Sequence, residues 1–446
     1  MASTYLTRAE TDPQSNQTTG TYSVWVKRGA LGSYQTIFNH RYSGSYEFKF
    51  IFYNDDTMFI TSNQNGVRLL LQTNRKFRDT NAWYHIVVAV DSTQGTSTDR
   101  AKLYINGVQE TSFVSSGGNS AVYPTSSQGL GLDGGNGYTN YIGSRDGSSE
   151  IFDGSMSHFH HVDGSALAPT VFGSTDSTTG EWKINTSPSY TVGTKGFFIL
   201  KDGNSVTDQS ANTNNFTVAG GTLTKTEDNP SNVFATWNPL MPNSITYSNG
   251  NTTCTQTADA NYRNAWTTIA TPTTGKFYAE FKAVSGFSAI NKAIGYVEVE
   301  QTYDGDAHLE AYALEGSYGS NGRVSYNQTI DSSVPTFTGG DIIGIALDLD
   351  NGKAYYHKNG TYINSGVPTS GSTGTGGYTM TTGKQYALAS ITINQGGANV
   401  WSANFGNGYF GTTAVASAGT NASGIGIFEY NVPTGYTALS TKGLNE

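Results

Sequence analysis

The chain has 446 residues, among them 54 Gly, 28 Tyr and 21 Phe, and only 13% are charged. The balance of 25 Lys and Arg against 34 Asp and Glu, a net charge of −9, argues against a nucleic-acid binder, whose affinity rests on a basic surface. So few charges also exclude a coiled-coil or long-helix protein, and the single cysteine excludes a disulfide framework and a cysteine-based zinc site.

Along the chain, period-two alternation dominates and sustained helical periodicity is hard to find. The opening twenty residues show no basic stretch followed by an apolar one, so no secretory signal is expected, and no run is apolar for the length a membrane helix needs. Synthesis in a cytoplasm, without membrane insertion, is the expectation. In 22–28, Tyr22, Val24 and Val26 share one face; in 47–53, Phe48, Phe50 and Phe52 oppose Lys49, Ile51 and Tyr53. Residues 83–90 are apolar on both faces except at His85, as in a strand covered on both sides. Asn106-Gly107 suits a type I′ hairpin turn, because both positions tolerate positive φ.

Hydrophobic density then falls, and the stretch 171–235 reads as an irregular connector with one added strand near 196–200. Beyond it, Phe277, Ala279 and Phe281 point inward while Tyr278, Glu280 and Lys282 point outward. Residues 341–363 give three short strands punctuated by Asn351-Gly352 and Asn359-Gly360. Strands, glycine-rich loops and negligible helix imply an all-β protein of two antiparallel β-sandwich domains of jelly-roll type. The expected bounds are 1–170 and 236–446.

Two resemblances attach to these segments. Residues 23–28, 83–91, 102–108, 141–145 and 152–169 give, in order, a Trp-x-His-hydrophobic strand, a Tyr-x-Asn-Gly hairpin, an Ile-Gly strand and a Phe-x-Gly lead into a last strand. In that order they resemble a laminin-G-like domain of the concanavalin A type. Residues 340–363, with 399–407 near the end, resemble the core of a SPRY domain. The closing 432–444, and the pairing of both domains in one chain, are similar to bacteriophage fibre or adsorption proteins of marine and cyanobacterial phages. The resemblance implies a virion-surface protein of tail-fibre or receptor-binding type that recognises a host-surface glycan through its loops. It also implies other virion proteins as partners and a homo-oligomer, a trimer being favoured. Two alternatives stand beside it: a capsid decoration or tail connector protein, and a carbohydrate-active enzyme of the glucanase class.

The enzyme alternative needs two carboxylates across a scissile bond. Glu298 and Glu300 share a strand face, with Asp304 and Asp306 following, but they lie in the SPRY-like half and read as a solvated face. No Gly-x-Ser-x-Gly turn marks a serine nucleophile, so no catalytic residue is assigned and a non-enzyme is expected. His158 and His160, alternating on one strand face, have spacing compatible with a transition metal; the simpler reading is histidines hydrogen-bonded to their neighbours, and His85 reads as a bonded core histidine. No cofactor is required. Asp-Gly pairs at Asp133, Asp146 and Asp153 could supply carboxylate and carbonyl oxygens to calcium, or serve as ordinary turns. Cys254 reads as a small buried filler. Sugars stack on aromatic rings and pair with hydroxyls and amides, and loops on rigid scaffolds carry binding residues. Tyr138, Tyr141, Tyr303, Tyr318 and Tyr378 are the glycan-binding candidates on that ground, with loop support or subunit contact as their other use.

Overall fold

The computed structural model describes residues 4–445 apart from 14–15, 202, 204, 242–244, 257–262, 288–291, 301–315, 327–328 and 393–397. Contacts divide the chain into two compact units, Met1–Lys225 with Asn229–Ser231 and Thr226–Asp228 with Asn232–Glu446. Each is a pair of antiparallel sheets enclosing its own core.

In the first unit, a seven-stranded sheet runs in spatial order β15 (Thr217–Gly220), β1 (Tyr5–Ala9), β10 (Thr139–Ile142), β3 (Gln35–Ser43), β4 (Tyr46–Phe52), β5 (Thr57–Gln64) and β6 (Val67–Lys76). The facing sheet runs β14 (Phe197–Ile199), β11 (Gly154–Asp163), β2 (Thr19–Arg28), β7 (Trp83–Asp91), β8 (Ala101–Ile105) and β9 (Val108–Glu110). The alternation expected of β4 is realised: Phe48, Phe50 and Phe52 enter the core, while Ile51 packs on the outer face with Phe59 and Leu70. Strand β7 is apolar on both faces because both are covered. Its outer side carries Val87 in a cluster with Val162 and Phe172, with Leu167, Val171 and Tyr190 packed against it.

The stretch 171–235, expected to be a connector, holds a two-stranded ribbon, β12 (Gly173–Thr175) with β13 (Trp182–Ile184), before β14 and β15. Strand β14 pairs with β11 and β15 with β1, so each forms an edge of a sheet. Phe197, Ile199 and Phe216 lie in the core of the first unit.

In the second unit, one sheet follows β16 (Ile245–Ser248), β17 (Thr253–Gln256), β29 (Asn399–Asn404), β19 (Lys276–Ser285), β24 (Ile342–Asp348), β25 (Lys353–Lys358) and β26 (Thr361–Tyr362), with β27 (Tyr378–Thr379) also on β25. The other follows β18 (Arg263–Trp266), β28 (Tyr386–Thr392), β20 (Lys292–Glu298), β21 (Gly316–Gly319), β22 (Arg323–Tyr326) and β23 (Thr329–Asp331). Phe277, Ala279 and Phe281 face the core as expected. Tyr278 and Glu280, expected to face solvent, are buried. The segment near the C-terminus lays Phe428, Val432 and Tyr436 across that face, against Tyr278, Ala346 and Tyr355. Cys254 is fully buried, and burial holds its thiol up at about 12.

Candidate functional site

The sheet of the first unit that carries β3 and β4 ends in a tight hairpin, with Ser43 opposite Tyr46 across Gly44-Ser45. A two-residue turn leaves its flanking side chains no partner but solvent or a neighbouring loop. Tyr42 is 62% exposed and Tyr46 36%. Their rings meet edge-to-face at 6.3 Å, and Tyr138, from the loop before β10, approaches Tyr42 at 5.5 Å. Tyr138 is held from beneath, stacked on His40 at 4.9 Å and 10° between planes. His40 Nδ1 in turn sits 2.7 Å from Asn140 Oδ1. Burial holds the His40 imidazole down at about 4, so the platform is uncharged near neutrality.

Glycine is required where this loop crosses the rings. A Cβ at Gly134 would run into both His40 and Tyr138, and Gly137, at φ +93°, would place one 3.1 Å from Tyr42. The Tyr42 and Tyr46 hydroxyls make no hydrogen bond among the described residues. Tyr138 Oη lies at a long 3.5 Å from Gln64 Oε1. The result is a rigid aromatic face with open hydroxyls, able to stack on an apolar surface and to bond polar groups beside it.

Next to it, on the outer face of the same sheet, lies a charge network of Glu47, Glu150 and Asp146 with Arg41, Lys49 and Arg145, in which Asp146 faces Arg41 at 3.8 Å. Glu47 faces Arg145 at 3.3 Å, Arg41 at 3.6 Å and Lys49 at 3.7 Å; Glu150 faces Lys49 at 3.3 Å and Arg145 at 3.7 Å. Asn39 Nδ2 donates to the Arg145 carbonyl at 2.8 Å. These pairs fix the loop 143–150 over β3 and β4.

Of the residues singled out in the sequence, Tyr138 belongs to the exposed face. Tyr141, half-buried on β10, pairs across to Asn39 and Thr7 on the outer side of the sheet. Tyr318 and Tyr378 are corrections. Both are core residues, Tyr318 donating to the Pro335 carbonyl at 2.5 Å and Tyr378 to Asp331 at 2.9 Å, so neither offers a ring to a ligand. Tyr303, Asp304 and Asp306 lie outside the described residues. Tyr42 and Tyr46 were missed, although two tyrosines bracketing Ser-Gly-Ser are the sequence trace of an aromatic hairpin tip.

The three aspartates are spent separately. Asp133 is buried and accepts from the Asn16 backbone and the Gln17 side chain. Asp146 Oδ1 accepts from the N–H and hydroxyl of both Ser148 and Ser149. Asp153 receives the Gly29 N–H on its carbonyl at 2.8 Å. Among the described residues no group of three or more His, Cys, Asp or Glu could hold a metal ion, and Asp133, Asp146 and Asp153 form no shared set.

The histidines are likewise built in. A bulge between Ser157 and His160, with His158 at φ +50°, breaks the alternation expected of β11. His160 stacks on Phe198 at 3.8 Å and bonds Tyr190, and His161 stacks on Tyr22 at 4.3 Å. His85 lies between Trp25 and Trp182, with Ser23 Oγ and Trp182 Nε1 each 2.9 Å from its nitrogens. Glu298 and Glu300 share one cation, Lys384, the latter at 3.3 Å.

Residues 2–171 match Laminin_G_3, the concanavalin A-like lectin/glucanases superfamily. No curated protein matches the chain. Among solved structures, the SPRY domain of human HERC1 is similar at TM-score 0.29 and 13% identity, over 37% of this chain and 96% of that one. The native heptameric SAP-like pentraxin from Limulus polyphemus gives 0.29 and 14%, over 45% and 90%. Domain 4 of AbnA, a GH43 extracellular arabinanase from Geobacillus stearothermophilus in complex with arabinotriose, gives 0.24 and 18%, over 35% and 65%.

Proposed function

We propose that the chain is a carbohydrate-recognition protein that binds glycan without cleaving it, through the exposed face of Tyr42, Tyr46 and Tyr138. The observation that carries this reading is the pair of solvent-exposed tyrosines with unclaimed hydroxyls, buttressed by the Tyr138–His40 stack. Pyranose rings present an apolar face to such aromatics and hydroxyls to the polar groups beside them. The match of residues 2–171 to a superfamily that includes lectins supports it. The setting we propose, from the resemblance of the closing 432–444 and of the domain pairing to phage proteins, is a virion surface. There, several copies would add avidity to a weak single contact.

Two measurements test the reading. Purified protein is applied to a glycan array and to host cells in an adsorption competition. Retention on at least one glycan, and competition with infection, are the expected results. Tyr42→Ala with Tyr46→Ala should reduce array binding at least tenfold while leaving the melting temperature unchanged, since both side chains are exposed. Undiminished binding by that double variant would remove the tyrosine face as the site. Array binding without competition would separate glycan recognition from host attachment.

A further inference from the structure

A concavity lies elsewhere on the first unit. The loop 111–123 runs beside β6, bridging to it at Thr73–Phe113 and Leu70–Val122. Between this loop and the free edge formed by β8 and β9 opens a cleft of about 270 Å³. Ala101 forms its floor, and Phe113 and Tyr123, both packed against the core, form its apolar sides. Its rim carries Gln109, Thr111, Asp99 and Glu110.

The chemistry of that rim is uncommitted. The Gln109 amide and the hydroxyls of Thr111 and Tyr123 make no hydrogen bond among the described residues. Asp99 Oδ1 is paired with Lys102 at 3.0 Å, and Glu110 Oε1 accepts the Ser112 N–H at 3.0 Å; the other oxygen of each makes no hydrogen bond among the described residues. The cleft thus offers two rings, two donor-acceptor hydroxyls, an amide and two carboxylate oxygens. Two carboxylates against one paired lysine leave the rim negative, which disfavours anions. The volume falls just below the small-molecule range of about 300–1,000 Å³, enough for one ring and too little for a chain.

We propose that this cleft is a pocket for a single neutral hexopyranose, a chain end or side branch, separate from the tyrosine face. It deepens the carbohydrate reading above and rests on it. The ring edge would lie against Phe113 and Tyr123 while its hydroxyls bond Gln109, Thr111 and the free carboxylate oxygens.

The test is saturation-transfer NMR and titration of the whole chain with methyl gluco-, galacto- and mannopyranosides, and with methyl glucuronide as an anionic control. At least one neutral glycoside should bind and the glucuronide should not. Gln109→Ala, at an exposed position, and Tyr123→Phe, which keeps the ring and removes only the hydroxyl, should each weaken that binding several-fold. Together they should weaken it at least tenfold. The Tyr42→Ala, Tyr46→Ala variant should bind the glycoside as the parent does. Absence of neutral-glycoside binding, equal binding by the pocket variants, or equal binding of the glucuronide would each overturn the proposal. If the glycosides fail while array binding still depends on Tyr42 and Tyr46, the pocket falls and the tyrosine face stands; if both fail, so does the carbohydrate reading.

Discussion

Glu280 is a fully buried carboxyl of the second unit. Burial drives its carboxyl up to about 7, against the pull of the Tyr430 and Glu429 N–H groups, Tyr278 and Asn404. Those four donors reach it at 2.8, 2.8, 2.9 and 3.3 Å. The proton order in the adjoining chain follows from the partners. Gly360 N–H donates to His357 Nδ1 at 3.1 Å, so Nε2 carries the imidazole proton and donates to Tyr278 Oη at 2.6 Å, whose O–H goes to Glu280. Burial holds His357 down at about 3.

The two shifts act oppositely on stability. The raised carboxyl contributes stability below its unfolded value of about 4.5 that is lost as pH rises toward 7. The depressed imidazole contributes stability above about 6.5 that is lost as pH falls toward 3. Between pH 5 and 6.5 they nearly cancel. Glu280→Gln should remove that compensation. An amide presents its own NH₂ to backbone donors, so a loss of about 1–3 kcal/mol is expected for the unpaired groups. Stability should then fall on acidification from pH 7 to 5 with a slope approaching 1.4 kcal/mol per pH unit. Urea unfolding of the second unit at pH 5 and 8 reads both effects; a flat pH dependence in the variant would refute the opposed pair. The sequence showed Glu280 and Tyr278 as polar members of an alternating strand. What buries them comes from about 150 residues later in the chain, at Glu429 and Tyr430, which no local pattern displays.

At the scale of elements, what local chemistry specifies was legible. The phenylalanine stripe of β4 enters the core, and two Asn-Gly pairs take the expected left-handed turns, Asn106 and Gly107 at φ 49° and 79°, Asn359 and Gly360 at 49° and 81°. The bulge in β11 was not legible, because alternation assumes one residue per pleat and a bulge inserts another. The three-residue strands β12 and β13 were faint for a related reason, being too short to display a period, whereas β14 falls on the strand expected near 196–200. The Asn106-Gly107 turn has a second duty that its sequence hides. A Cβ on Gly107 would run into the Trp182 ring, and Trp182 Nε1 donates to His85 on the outer face of β7. Gly107→Ala therefore combines a strained positive φ with loss of that cover. It should destabilise the first unit by roughly 1–3 kcal/mol and shift tryptophan emission to the red as Trp182 is displaced. Unchanged emission with lowered stability would confine the cost to the backbone.

For the molecule as a whole, the consequential feature is where the first unit ends. Composition placed a boundary near residue 170, where polar residues begin to outnumber apolar ones. Contacts instead carry the unit to Lys225 with Asn229–Ser231, because a few apolar residues in a polar stretch suffice to close two sheet edges. Phe197 and Ile199 are fully buried and Phe216 is 2% exposed. At about 1.5–3 kcal/mol for each buried side chain, the three together stabilise by an amount comparable to the whole stability of a typical domain, about 5–15 kcal/mol. A fragment of residues 1–231 should therefore unfold in one cooperative transition. A fragment of 1–170, which lacks β14, β15 and all three side chains, should be unfolded or bind a hydrophobic dye strongly at 25 °C. Circular dichroism and dye binding on the two fragments decide it: a cooperative transition in 1–170 at the temperature seen for 1–231 would mean that the later segment only decorates a unit already complete.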